Sequence, residues 1–223
     1  MLTPLQHFSV IDTPVGVTVF KHEFLGGKLN QIAPGVPVDV NEVADFFREL
    51  GGARGGFIPL NVLYQGTGLV AWFVPGKVRT LHFRPSNGAG IDLTIPLPNM
   101  VMASNGRSIW AVAVADENPT PDSQIHHAPL FNFYKNGSMC LGSVKLPKGE
   151  LISSLDDYES CVFDSYFTHT NHEHLIAGES RDNSDCIKRF SQLKGQSKYP
   201  NDWLVSKKMT LSQWINSEVL GNG

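Results

Sequence analysis

Cysteine is scarce in this 223-residue chain: Cys140, Cys161 and Cys186 are odd in number and widely spaced, with no Cys-x-x-Cys pair. That excludes a disulfide framework, a zinc ribbon and a redox couple, and it leaves free thiols in a reducing compartment. Charge of one sign is also missing. A formal net charge of -3, with no Lys/Arg run interleaved with aromatics, gives no basic field for phosphates and argues against a nucleic-acid partner. No apolar run approaches bilayer length, and residues 1–16 show no positive start followed by an apolar core. The reading is a soluble cytoplasmic protein with no membrane partner. Repeats and low-complexity tracts are absent too, while 41% hydrophobic residues suffice to close a core. One large domain, or a domain with extensions, is expected.

What is present reads as short strands with a few helices. Residues 7–24 form two strands around Thr13-Pro14-Val15-Gly16, and the Gly-, Asn- and Pro-rich stretch 25–37 is a connecting loop. Asp39 then caps a helix, with Glu42 reaching back to it. Val40, Val43, Ala44, Phe47 and Leu50 recur at helical spacing before Gly51-Gly52 ends the run. Strands are expected over 57–64, 69–74, 78–84 and 91–95, separated by Gly and Pro turns. Asn105-Gly106 joins 100–102 to 109–112 in the strongest hairpin signal of the chain. After a polar loop over 116–123, an amphipathic helix begins at Leu155, its apolar side formed by Leu155, Tyr158, Val162 and Tyr166. Residues 185–193 are a second helix, and Thr210-x-x-Gln213 is a capping box opening a final one through Trp214, Ile215 and Leu220. Periodicity alone supports an α+β class.

The chemistry concentrates in 126–147, HHAPLFNFYKNGSMCLGSVKLP. Asn132 lies eight positions before Cys140, with the Asn136-Gly137 turn between them, and Gly137, Ser138, Gly142 and Ser143 would leave the Cys140 sulfur approachable. Cys161 and Cys186 lack such surroundings and read as packing residues. The segment Asn132, Asn136-Gly137, Met139-Cys140-Leu141 resembles the active-site stretch of ubiquitin-conjugating enzymes, with Leu130-Phe131 where those carry His-Pro and Gly142 where an Asp is common. Together with Phe163-Asp164-Ser165-Tyr166-Phe167-Thr168-His169, it is similar to prokaryotic ubiquitin-conjugating family D, a bacterial branch that includes PRTRC system proteins.

That resemblance implies a ubiquitin-conjugating-enzyme-like fold: an N-terminal helix, an antiparallel β-meander, an active-site cysteine loop and C-terminal helices. Residues 1–36 would be an added hairpin packed on a main domain of 37–223, which includes a C-terminal helical extension. It implies a carrier enzyme without a cofactor of its own. Cys140 would accept the C-terminus of a ubiquitin-like modifier as a thioester from a ThiF-type activating enzyme and pass it to an amine on a protein target, in a PRTRC or antiviral operon context. Asn132 would steady the oxyanion or brace the loop, and His169 would assist as an auxiliary base or orienting group. An acidic helper could be Asp116, Asp122 or Asp164. Two alternatives stay open: a Cys-His hydrolase pairing Cys140 with His127 or His169, and a non-catalytic variant that only binds a modifier. His126 and His127 read as exposed loop residues. His169, His172 and His174 offer nitrogen ligands but no second shell, so no metal is expected. Of the four tryptophans, Trp203 is the one that could anchor a partner instead of the core.

Overall fold

The run Ile109-Trp110-Ala111-Val112-Ala113-Val114 is buried at every position, as expected of a strand covered on both faces. In the computed structural model, which describes residues 6–14, 16–24, 32–39, 41–43, 58–66, 68–85, 89–178 and 182–221, this strand is central to the largest sheet. The chain divides into two compact units, Met1–Phe57 and Ile58–Gly223.

In the first unit β1 (Gln6–Thr13) and β2 (Gly16–Glu23) pair antiparallel from Gln6↔Glu23 to Thr13↔Gly16, and β3 (Val36–Val38) adds beside β2. The Asp39 side chain accepts from the Asn41 amide at 2.7 Å, so it closes a first turn as expected. Most of the helix read over 40–50 lies outside the described residues.

The second unit begins its strands later than the sequence suggested, at β4 (Val62–Gly66) instead of 57. Next come β5 (Leu69–Val74), β6 (Val78–Phe83), β7 (Ile91–Pro96), β8 (Asn99–Ser104), β9 (Ile109–Val114) and β10 (Gln124–His127). They are followed by helix α1 (Leu155–Phe163), β11 (Tyr166–Phe167), helix α2 (Asn183–Ser191) and β12 (Ser206–Thr210). Last is α3 (Leu211–Trp214), which runs on into a π-helical turn, Ile215–Val219. The large sheet has the order β12-β10-β9-β8-β5-β4, and a smaller one has β11-β6-β7. All pairs are antiparallel except β11 on β6.

Alternation along the strands sorts their side chains to two cores. Val70, Trp72, Val74, Met100, Met102 and Ala111 join β6, β7, α1 and α2 in the main core. Leu69, Ala71, Val101, Ala103, Trp110 and Val112 face the other way, against Leu211, Trp214, Ile215 and Val219. The capping box sets that closing helix: Thr210 accepts from the Gln213 amide while Gln213 reaches back to the Thr210 amide.

Helix α1 ends at Phe163, with Asp164 as its C-cap, so Phe163 completes the buried face. Tyr166, read from the sequence as part of that face, instead stands exposed on β11, because the helix has ended at Phe163, three residues earlier. His126 and His127 are likewise on a paired strand, not in a loop, and His127 is buried.

The Cys140 segment is carried on β9. Phe133 and Met139 form a bridge, Met139 donates to the Ile109 carbonyl at 2.8 Å and Ala111 donates to the Gly137 carbonyl at 2.8 Å. Gly137 has φ 88, and a Cβ there would sit 2.9 Å from the Ala111 carbonyl oxygen. Replacing Gly137 by Ala is therefore expected to cost about 1–3 kcal/mol, read by urea unfolding, and to displace Cys140 from β9.

Candidate active site

Asn132 and Cys140 face each other across a small hairpin of backbone. The Cys140 amide donates to the Asn132 carbonyl at 2.7 Å, the Tyr134 amide to the Ser138 carbonyl at 2.8 Å, and the Gly137 amide to the Tyr134 carbonyl at 2.8 Å. The Asn136 side chain accepts from the Ser138 amide and hydroxyl, an Asx turn that shapes the tip. Two contacts from the C-terminal elements hold that tip: the Trp214 indole donates to the Asn136 carbonyl at 3.2 Å, and Lys207 donates to the Lys135 carbonyl at 2.6 Å. The dipeptide Leu130-Phe131 that enters the hairpin is buried in the main core, Phe131 edge-on to Phe83 at 5.1 Å. Packing thus anchors the entry to the hairpin.

Asn132 is only 6% exposed and has φ 65, a left-handed conformation that asparagine tolerates better than most residues. Its Nδ2 donates to the Tyr166 carbonyl at 2.8 Å. Its Oδ1 accepts from the Thr168 amide at 3.1 Å, the Thr168 hydroxyl at 3.0 Å and the His169 amide at 3.4 Å. The Asn132 amide itself donates to the His169 carbonyl at 2.9 Å. One residue therefore ties the cysteine hairpin to the 166–169 segment. That segment is fixed on its other side by β6, through Tyr166↔His82 and Phe167↔Phe83, and by Asn183 at the start of α2, which accepts from the Thr170 amide at 2.9 Å.

The same network assigns the His169 tautomer. An amide oxygen only accepts, so the single Thr168 hydroxyl proton goes to Asn132 Oδ1. The contact of 2.7 Å between Thr168 Oγ1 and His169 Nδ1 is then made by a proton on Nδ1, which leaves Nε2 with its lone pair on an exposed ring. His169 also borders a cavity of about 770 Å³ lined by Ile91, Asn183 and Ile187 among others; Cys140 is not part of its lining.

The three cysteines differ in setting. Cys140 is half-buried and Cys186 fully buried. Cys161 is half-buried, its thiol donating to the Lys145 carbonyl at 3.5 Å, and burial followed by Asp157 and Asp164 pushes its pKa up. Beside Cys140 stands a residue the sequence reading passed over. The neighbouring Cys140 side chain holds the Tyr134 phenol above its ordinary pKa. The available signal was its position two residues after Asn132, on the arm that leads into the Asn136-Gly137 turn.

His127 is held elsewhere. Its ring lies 5.0 Å from that of His172 and 5.2 Å from that of His174, and burial, then Lys207 and the two other imidazoles, depress its pKa to about 3. Among the described residues, no group of three or more His, Cys, Asp or Glu side chains is arranged to hold a metal ion. Of the acidic candidates, Asp116 accepts from the Ser123 hydroxyl within the 116–123 loop, Asp122 is exposed in that loop and Asp164 caps α1. Trp203 is half-buried, with Arg189 stacked 3.9 Å from its ring centroid, so its face is occupied. No helix among the described residues is long and apolar enough to cross a membrane.

The model of a protein family described as prokaryotic E2 family D, E2 denoting ubiquitin-conjugating enzymes, matches residues 41–207. No match was found among curated proteins or among solved structures.

His127 gives a pH prediction. Its folded-state pKa of about 3 lies below the ordinary 6.5, so between those values the unfolded chain binds a proton that the folded one refuses. Stability therefore falls as pH drops from about 6.5 toward about 3, and in His127→Gln the loss between about pH 7.5 and about pH 5, read by urea unfolding, becomes smaller.

Proposed function

Because the chain belongs to prokaryotic E2 family D, which gives it a conjugating-enzyme ancestry, we propose that Cys140 carries the C-terminus of a ubiquitin-like modifier as a thioester between a ThiF-type activating enzyme and an amine on a protein target. The observation supporting this most is the Asn132 clasp. It joins the cysteine hairpin to the Thr168-His169 segment, so a half-buried thiol and an imidazole with a free Nε2 lone pair belong to one braced unit.

In the loading step the Cys140 thiolate attacks the carbonyl carbon of the incoming thioester and the carbonyl π pair moves to oxygen. Collapse expels the activating enzyme's thiolate, so one C–S bond forms as another breaks. In the transfer step the target amine adds to the same carbon and Cys140 leaves as thiolate. The proton released by the amine goes to His169 Nε2. Asn132 acts as the brace: its carboxamide is committed to Tyr166, Thr168 and His169, and its backbone carbonyl to the Cys140 amide. No resident cofactor is required by these steps. Residues 1–36 are an extension on this machinery, and the operon context is either a PRTRC or an antiviral conjugation system.

The burial of His127 among His172 and His174 speaks against it as the activating base of a hydrolase. Incubation with activating enzyme, ATP and modifier is expected to give a thiol-sensitive adduct on Cys140, and Cys140→Ser a thiol-resistant oxyester with no onward transfer. Turnover of a small acyl substrate without activating enzyme, or full function in Cys140→Ser, would contradict the carrier reading. His169→Gln should still load but transfer to an amine about a hundredfold more slowly, measured by single-turnover discharge.

A further inference from the structure

Two departures from regular backbone meet at one buried ion pair. Between Gln124↔Thr210 and His126↔Ser206 the pairing of β10 with β12 slips, so that Ile125 alone faces Lys207, Lys208 and Met209. Within this bulge Lys208 has φ 55, a left-handed conformation that a lysine adopts only at a cost, and bulges of this kind re-aim side chains. The second departure is the π-helical turn Ile215–Val219, closed by the Leu220 amide on the Ile215 carbonyl at 2.9 Å, which carries Glu218. Lys207 from the bulge and Glu218 from the π turn pair at 2.9 Å, with the lysine side chain only 3% exposed. Buried pairs seldom add net stability, because desolvation offsets the attraction and apolar residues of similar volume often do as well or better. Strained backbone and a buried charge gathered at one place point to a task other than holding the fold.

The third partner of Lys207 identifies that task. Its Nζ also donates to the Lys135 carbonyl at 2.6 Å, and the Trp214 indole, just before the π turn, donates to the next carbonyl, that of Asn136, at 3.2 Å. β9 grips the other arm of the cysteine hairpin, through the Gly137 carbonyl and the Met139 amide. Among the described residues, the hydrogen bonds that reach 134–136 from outside the hairpin are those of Lys207 and Trp214. Resting on the carrier reading, we propose that Lys207 is a positioning residue for acyl transfer: oriented by Glu218, its ammonium pins the tip of the hairpin and so fixes where Cys140 stands relative to an incoming carbonyl carbon. An ammonium donating to a carbonyl is a charge-assisted bond, roughly twice as strong as a neutral one. Its effect passes through the hairpin backbone, where the Cys140 amide is bonded to the arm that Lys207 holds. Without it the 134–136 arm loosens while β9 keeps the sheet, and a misplacement of about 1 Å at a reacting atom can cost on the order of a hundredfold in rate.

The test acylates Cys140 by exchange with a small glycyl thioester, which needs no activating enzyme, and follows discharge to a primary amine in the wild-type chain and in the apolar double variant Lys207→Met/Glu218→Met. That variant is expected to unfold at the wild-type urea midpoint or above it, yet to discharge about ten- to a hundredfold more slowly at saturating amine, with the half-saturating amine concentration unchanged. Its Tyr134 and Gly137 amides should exchange with solvent at least about tenfold faster while β8 and β9 stay protected. Lys207→Met alone, assayed below its own unfolding midpoint, should show the same slowing and the same exchange pattern. Equal rates within about twofold, unchanged exchange at those amides, or a slowing that merely tracks a lower midpoint would overturn the role of Lys207. A parallel reaction with activating enzyme, ATP and modifier separates the two ideas: no loading of the wild-type chain there, with the Lys207 effect intact on the glycyl ester, would overturn the carrier reading and leave the role of Lys207 standing.

Discussion

The site depends on one buried carboxamide. Asn132 has to satisfy a Tyr166 carbonyl, a Thr168 hydroxyl and two backbone amides of a segment more than thirty residues away in the chain, and it does so from a left-handed backbone position. Leaving those buried groups unpaired would cost about 1–3 kcal/mol each, so no residue that lacks both an amide donor and an amide acceptor keeps the two segments together at the same energy. The local arrangement follows from that clasp: the pairing of the Cys140 amide with the Asn132 carbonyl and the Thr168 proton that fixes the His169 tautomer.

The scaffold makes the clasp rigid from both sides. The cysteine hairpin is stitched to β9, a strand buried on both faces, while Trp214 and Lys207 hold its tip. Lys207 is itself ion-paired with Glu218 at 2.9 Å, its side chain only 3% exposed. The partner segment is hydrogen-bonded to β6 and to Asn183, the first residue of α2. From β6 itself, Arg79 pairs with Glu159 at 2.8 Å and lies 3.8 Å from the centroid of the Phe163 ring, fixing α1 in place. A thiol supported this way keeps one presentation, as the proposed acyl transfer would require.

Much of the scaffold was legible in the residues. Strong local signals held: Leu69–Val74 forms a strand over the span expected, Asn105-Gly106 lies between β8 and β9, and Thr210 with Gln213 forms the capping box. The motif also identified Asn132, Cys140 and His169 as residues to watch, and the fold brings their segments together. Less visible was anything fixed by register or long-range contact. Tyr166 matched a helical face because its spacing from Val162 is four, yet the helix had already ended at Phe163. His127 looked like a loop residue because Ala128-Pro129 follows it directly, whereas pairing with β9 buries it. Tyr134 carried no motif. Its place near Cys140 comes from the hairpin that the Phe133–Met139 bridge closes.

The clasp is tested most directly by amide hydrogen exchange on Asn132→Ala. Removal of the carboxamide is expected to speed exchange at the Thr168 and His169 amides at least about tenfold, with β9 and β8 still protected, because the lost bonds join two segments and do not hold the sheet. Unchanged protection at Thr168 and His169 in that variant would contradict the account.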